Sequence, residues 1–254
     1  QSFWVLFMLY LIGLGLGDKS DITLKGLDAI KKSKYVYMES YTSVIQSRQK
    51  ELENLYKKKI IVSDRDQIES KQDQILSQAK TSNVAILIIG DIFFATTHFS
   101  LYLEAKKQNI QTEIIYNASI LSAVGITGLF LYNFGKITSI PFENKNIKTP
   151  LEVLKQNQKN NLHTLFLFDL DPKNNRYLSL KDASLYLIEN KIPKSTLAFG
   201  LLSIGSKNKV IVKTLKEFSN SNYSDFPQCM IIPCKKLHFI EQEALDYYKN
   251  ESNS

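Results

Sequence analysis

MLYLIGLGLGD, residues 8–18, is the stretch whose reading decides the fold. It closes a longer apolar run, FWVLFMLYLIGLGLGD (residues 3–18), and ends on three alternating glycines, Gly13, Gly15 and Gly17. Such a run is a secretion signal, a membrane anchor, or the first strand of an open α/β domain. It falls short of the roughly 20 apolar residues that cross a bilayer, and no later run approaches that length. A signal peptide needs a basic leader and a small-residue cleavage site, yet Gln1-Ser2 carries no positive side chain. The strand reading remains. Phe3–Phe7 is expected to be an extension, with the working domain starting near Met8.

Working outward from there, short β-rich runs alternate with segments of helical period. Strands are expected at Leu9–Ile12, Tyr35–Met38, Lys59–Val62, Val84–Ile89 and Thr112–Tyr116, and helices at Asp21–Lys34, Asp66–Lys80, Thr97–Gln108 and Ser119–Phe130. VAILII (84–89) is continuously apolar, as a strand buried on both faces of a parallel sheet must be. Strand–helix alternation of this kind makes the first half α/β with a largely parallel sheet. The composition shifts at Pro141–Pro150, read as a linker, so the expected domains are 8–140 and 147–249. The second half is more β-rich and reads as mixed. Helices are expected at Leu151–Lys159, Leu180–Asn190 and His238–Tyr248, and strands at Thr164–Phe168, Thr196–Ser203, Val210–Lys213 and Met230–Ile232. NESNS at the end reads as a disordered tail.

The chain has 254 residues, 44% hydrophobic and 22% charged, ordinary for a soluble globular protein. A net charge of +7 favours a mildly anionic partner, but the 32 Lys and Arg are scattered, and runs such as Lys57-Lys58-Lys59 read as solvated faces. Neither nucleic acid nor membrane is an expected partner. Two cysteines, Cys229 and Cys234, with one nearby His238 are too few ligands for structural zinc and fit free thiols in a reducing compartment. Asn117-Ala118-Ser119 matches a glycosylation sequon, which matters only in a secreted chain.

Three strand ends carry small or polar residues: Gly13-Leu14-Gly15-Leu16-Gly17-Asp18, Gly90-Asp91, and Asn117-Ala118-Ser119-Ile120. Ligands of open α/β sheets bind beyond the carboxyl ends of the strands, so the three suggest one shared crevice. The glycine spacing, G-x-G-x-G, misses the dinucleotide fingerprint by one residue, and no phosphate-binding G-x-x-x-x-G-K-[ST] loop occurs. A tight turn without a ligand explains the glycines equally well. Asp91 is either a ligand contact or a cap for the next helix, for which Thr96 is the other candidate. His98, His163 and His238 are far apart in sequence and no G-x-S-x-G elbow is present, so nucleophilic and metal-assisted chemistry are poorly supported. A crevice without nucleophile, metal or phosphate cradle suits chemistry delivered by a cofactor.

MLYLIGLGLGDKSDIT (from Met8), YMESYTS (from Tyr37), GDIFFATTH (from Gly90), YNASILSAVGITGLFLYNFG (from Tyr116), LHTLFLFDL (from Leu162) and LAFGLLSIG (from Leu197) resemble the diphthine synthase family in order and spacing, from Met8 to about Tyr248. The resemblance implies an S-adenosylmethionine methyltransferase of the tetrapyrrole methylase fold: two α/β domains, a cofactor cleft between them, and a homodimer. Its members are cytoplasmic and methylate the 3-amino-3-carboxypropyl-histidine of elongation factor 2 in diphthamide biosynthesis, releasing S-adenosylhomocysteine. Carried over by position, the implied cofactor contacts are Leu16, Asp91, Phe94, Ser119, Ile120, Phe168, Ile204 and Cys229, with no metal. Where the family usually has GDPFGATTH, Ile92 replaces Pro and Phe94 replaces Gly, and Cys229 stands where His is common. Methyl transfer from a sulfonium to an amine depends on alignment, worth roughly 7–11 kcal/mol, so no essential catalytic side chain is expected. The alternatives are a methyltransferase of the same fold with a tetrapyrrole or other small substrate, and a non-catalytic partner of the translation factor.

Overall fold

The structure, a computed structural model, describes residues 6–94 and 98–252. The chain divides into two compact units, the first reaching to Ile120 and the second beginning at Leu121. The boundary therefore precedes the 141–150 segment read as a linker, because Thr138–Ile140 pairs with a strand of the second unit.

In the first unit, β1 (Met8–Gly13), α1 (Leu24–Lys32), β2 (Tyr35–Glu39), α2 (Gln49–Tyr56), β3 (Ile61–Ser63), α3 (Asp73–Ala79), β4 (Val84–Ile88), α4 (Phe99–Lys107) and β5 (Gln111–Ile115) follow in sequence. The sheet order is β3-β2-β4-β1-β5 and every pair is parallel. All five residues of β4 are buried because apolar layers cover both faces. One layer packs Leu9, Leu11, Val84 and Ile86 against Ile75, Leu76 and Leu101, the other packs Tyr10, Ile12, Ala85 and Leu87 against Ile30, Leu52 and Tyr56. Periodicity gives no expectation of α2, since only Leu52 and Tyr56 are buried on an otherwise polar segment. The expected helix over 66–80 is broken instead: one wide turn, Asp66–Ser70, ends at Lys71 before α3 begins.

In the second unit come α5 (Ile120–Ala123, which starts on the boundary), β6 (Thr138–Ile140), α6 (Thr149–Lys159), β7 (Thr164–Phe168), the short hairpin β8 (Leu170–Asp171) and β9 (Arg176–Tyr177), α7 (Leu180–Glu189), β10 (Leu197–Leu202), β11 (Lys209–Thr214), α8 (Leu215–Ser219), β12 (Gln228–Ile232) and α9 (Phe239–Glu251). Its sheet, β11-β10-β12-β7-β6, is antiparallel except for the β6–β7 pair, hence mixed as expected. The helix expected over 119–130 shrinks to α5 and a tight turn, Val124–Thr127. Gly128 ends it at φ +76, and a Cβ there would sit 2.4 Å from that of Ala244. Packing against α9 selects glycine at that point. The tail also differs, since α9 carries on through Asn250 and Glu251. No helix among the described residues is long and apolar enough to cross a membrane.

Candidate active site

The carboxyl ends of β1, β4 and β5 meet, as the three strand-end clusters suggested. Gly15 and Gly90 exchange main-chain hydrogen bonds at 3.1 and 2.8 Å, joining the first loop to the second. Among the described residues Asp91 caps no helix. Its Oδ1 accepts from the Asn117 N–H at 2.9 Å, joining the second loop to the third. The Asn117 amide donates to the Gly13 carbonyl at 3.0 Å and the Asp21 carbonyl at 2.9 Å, closing the ring of loops. Asp21 Oδ2 in turn accepts from the N–H groups of Leu16 (3.2 Å) and Gly17 (2.7 Å). Thr96 lies outside the described residues.

The glycines sort by what surrounds them. A Cβ on Gly13 would lie 2.8 Å from the Gly90 carbonyl and 2.9 Å from the Asn117 Cβ; on Gly15, 2.6 Å from the Asp21 Cβ. Protein atoms fill both places, so these glycines serve loop packing and leave no room for a ligand. Gly90, at φ +84, differs: among the described residues nothing comes nearer its added Cβ than the Ala118 carbonyl at 4.0 Å. Beside it, Asp91 Oδ2 accepts no hydrogen bond from the protein among the described residues. An open glycine face next to a half-buried carboxylate with one free oxygen is where a ligand bearing N–H or O–H donors fits.

Deeper in the same end of the sheet, Glu39 closes β2 fully buried. It accepts from the Thr42 hydroxyl, from the N–H groups of Thr42 (3.0 Å), Tyr41 (3.3 Å) and, across to β4, Ile89 (3.3 Å). Burial pushes its carboxyl above the ordinary range, against the pull of those donors. His98 is 1% exposed, with the Tyr41 hydroxyl 3.4 Å from Nε2. Burial holds it down, to about 4, opposed only by a bond to the Ile92 main chain. It is neutral near pH 7.

In the second unit, antiparallel register sets the carboxyl ends of β7 and β10 beside the start of β12: Leu167 pairs with Cys229, which pairs with Leu201. Phe168, Ile204 and Cys229 thus share one end of this sheet, all buried. Their side chains do not converge. Phe168 packs with Phe166, Met230 and Ile232 on one face, whereas alternation puts Cys229 on the other. Burial pushes the Cys229 thiol up to about 12, which leaves it un-ionised.

The chain matches the Tetrapyrrole (Corrin/Porphyrin) Methylases over residues 8–218. A diphthine methyl ester synthase of Bos taurus is 37% identical over 276 residues, covering 97% of this chain and 97% of that protein. A diphthine synthase of Methanocaldococcus jannaschii is 40% identical over 253 residues, covering 94% and 98%. A crystal structure of diphthine synthase aligns with a TM-score of 0.90 at 33% identity, covering 96% of each chain. The chain belongs to the diphthine synthase family of tetrapyrrole methylases.

Against that family's pattern, the Phe94 departure is harmless to the backbone. Lys57, Asn109, Asn161, Asn175, Lys191, Ser203 and Asn208 are the described non-glycine residues at positive φ, and Phe94 is not among them. Leu16, half-buried, has its N–H already engaged by Asp21, so any ligand contact there falls to its carbonyl or side chain. Ser119 and Ile120 are half-buried at the start of α5. Sequence reasoning passed over Asp21 and Glu39, and treated Asn117 only as part of a cluster. The available signal was an Asp or Asn in a strand-end loop of a parallel sheet, where unpaired main-chain groups accumulate. Among the described residues no group of three or more His, Cys, Asp or Glu could hold a metal.

Proposed function

We propose that this chain methylates the 3-amino-3-carboxypropyl-histidine of elongation factor 2, giving diphthine or its methyl ester, in diphthamide biosynthesis, with S-adenosylmethionine as methyl donor. Family membership over almost the whole chain supports the reaction class, and one structural observation carries the site: the open face of Gly90 beside the free oxygen of Asp91. Those residues fit the donor, whose amino group and ribose hydroxyls need acceptors and whose adenine ring and methylene groups tolerate apolar walls. Asp91 takes the donor's N–H or O–H groups, Leu16, Phe94 and Ile120 supply apolar surface, and Ser119 adds a hydroxyl. In the second unit, Cys229 can serve only through its main chain, because its thiol is buried and un-ionised.

The bound donor supplies an electrophilic methyl group on a sulfonium. The protein's own contribution is to orient it and exclude water, since alignment accounts for roughly 7–11 kcal/mol of such a barrier. Neither His98 nor Cys229 is a competent base: His98 is buried with its proton affinity depressed, and the Cys229 thiol does not ionise. The amine enters neutral and sheds its proton to solvent. The chain acts as a homodimer, for which the face carrying Tyr132 (99% exposed) and Phe239 (70% exposed) is suited. The loop holding Tyr132 is seated on the start of α9 by the Phe130 N–H bonded to Glu241.

The test is mass spectrometry of elongation factor 2 bearing the 3-amino-3-carboxypropyl group after incubation with the protein and S-adenosylmethionine. A gain of methyl groups on that histidine is expected. No gain with that substrate, or equal transfer to a tetrapyrrole, rejects the reading.

A further inference from the structure

We propose that Asn117 is a positioning residue of the methyl-donor site, holding the glycine loop closed so that the ligand is received at Gly90 and Asp91. The inference rests on the proposed function for the identity of the ligand, and on geometry for the role.

Every polar group of Asn117 near the site is committed. The amide nitrogen donates to the carbonyls of Gly13 and Asp21, at 3.0 and 2.9 Å. The amide oxygen accepts from the Ala118 N–H at 2.8 Å, and the main-chain N–H donates to Asp91 Oδ1 at 2.9 Å. The orientation of the amide is determined by these partners, because a flip would set its oxygen against two carbonyl oxygens. Its Cβ also occupies the space that a Gly13 side chain would need.

These bonds join loops that no sheet register joins. The strands β1, β4 and β5 pair through their own ladders and keep their order without the Asn117 amide. What depends on it is the path from Gly13 to Asp21, and with it the position of Asp21, whose carboxylate gathers the Leu16 and Gly17 N–H groups. Through its main chain Asn117 also sets which oxygen of Asp91 is occupied and which is left to a ligand. A residue that touches each of the three loops, and the sheet only at the last residue of β1, controls the shape of the loops more than the stability of the fold. The same amide is unavailable to glycosylation while it makes these bonds, which disposes of the sequon.

The experiment uses the full chain with S-adenosylmethionine as probe, comparing wild type with Asn117→Ala and Asn117→Asp by calorimetry and by steady-state methylation. Both variants are expected to bind the donor about tenfold or more weakly, since two hydrogen bonds are lost. Asn117→Asp, of equal volume, should be no better than Ala, because it places an anionic oxygen against the Gly13 and Asp21 carbonyls. Turnover at saturating donor should stay within about threefold of wild type, so the loss falls on KM. Hydrogen exchange at Leu16 and Gly17 should accelerate in both variants, with exchange in β4 unchanged. Donor affinity within about threefold of wild type in either variant, or unchanged exchange at Leu16 and Gly17, overturns the proposal. A wild-type chain that binds no S-adenosylmethionine would sink the functional reading instead, and the exchange measurement would still decide the role of Asn117.

Discussion

His163 Nε2 donates to Glu241 Oε1 at 2.9 Å, with both side chains fully buried. His163 Nδ1 accepts from the Cys234 N–H at 3.0 Å, which fixes the neutral tautomer with its proton on Nε2. Two of the three histidines that looked unrelated in sequence therefore meet at one carboxylate, since the His238 N–H also bonds Glu241, at 2.9 Å. Burial pushes the Glu241 carboxyl up, but bonds from Phe130, His238, His163 and Asn133 outweigh it and hold it below its ordinary value. The cluster ties the 130–133 loop, β7 and α9 together inside the second unit and is structural.

Replacing Glu241 with alanine strips the partner from two main-chain N–H groups, an amide and an imidazole at once. The expected loss is about 3–5 kcal/mol of unfolding free energy, measured by urea titration, with Glu241→Gln costing less. A loss below about 1 kcal/mol would mean water replaces the carboxylate.

His98 makes stability fall with acidification. Its folded-state value of about 4 lies below the ordinary 6.5, so the unfolded chain binds the proton first. The stability is fully present above the unfolded value and is lost as pH drops from there toward the folded one. Between about pH 7 and 5 the loss is about 2 kcal/mol, and His98→Gln should remove that slope. Glu39, raised by burial, acts in the opposite sense and blunts the wild-type curve. A slope unchanged in His98→Gln would refute the assignment.

The two strand-end glycines should fail differently. In Gly13→Ala the new methyl meets the Gly90 carbonyl and Asn117, so the ring of loops must open, lowering both stability and donor affinity. In Gly90→Ala the methyl meets nothing among the described residues nearer than the Ala118 carbonyl at 4.0 Å, and the cost is the positive φ, about 1–2 kcal/mol, together with obstruction of the ligand face. Thermal unfolding with and without S-adenosylmethionine separates them: the ligand-induced rise in Tm should vanish in Gly90→Ala while the unliganded fold survives. A full ligand response in that variant would move the site elsewhere.

Cys229 should be inert. Native protein treated with iodoacetamide around pH 8 is expected to leave this thiol unmodified until denaturant is added. Cys229→Ala should methylate at a rate within about threefold of wild type. Rapid alkylation of the folded protein would show that the sheet end is open.

Tyr132→Asp combined with Phe239→Asp should shift the sedimentation coefficient from dimer to monomer if the apolar face is the subunit contact. Unchanged sedimentation would assign that face another role.

Local pattern carried the α/β class and the strands of both sheets except β6, because a strand buried on both faces must be continuously apolar, as VAILI is, and this holds whatever surrounds it. It also carried the three strand-end clusters, since polar and small residues beyond parallel strands have few structural alternatives. It failed where the outcome depends on distant partners. The helix expected over 119–130 ends early because of Ala244, and β6 leaves the first unit because β7 offers it a ladder. The glycine pattern left a ligand loop and a bare tight turn equally open; Asn117 and Asp21, some 100 and 6 residues from Gly13 and Gly15, fill the space beside those two. Composition and period thus determined the elements and their layering, which are set by each residue's own solvation and backbone preference. Only the tertiary structure decided which glycine faces open space, which oxygen of Asp91 is free and which histidine is paired, because those are properties of contacts between loops that no local pattern encodes.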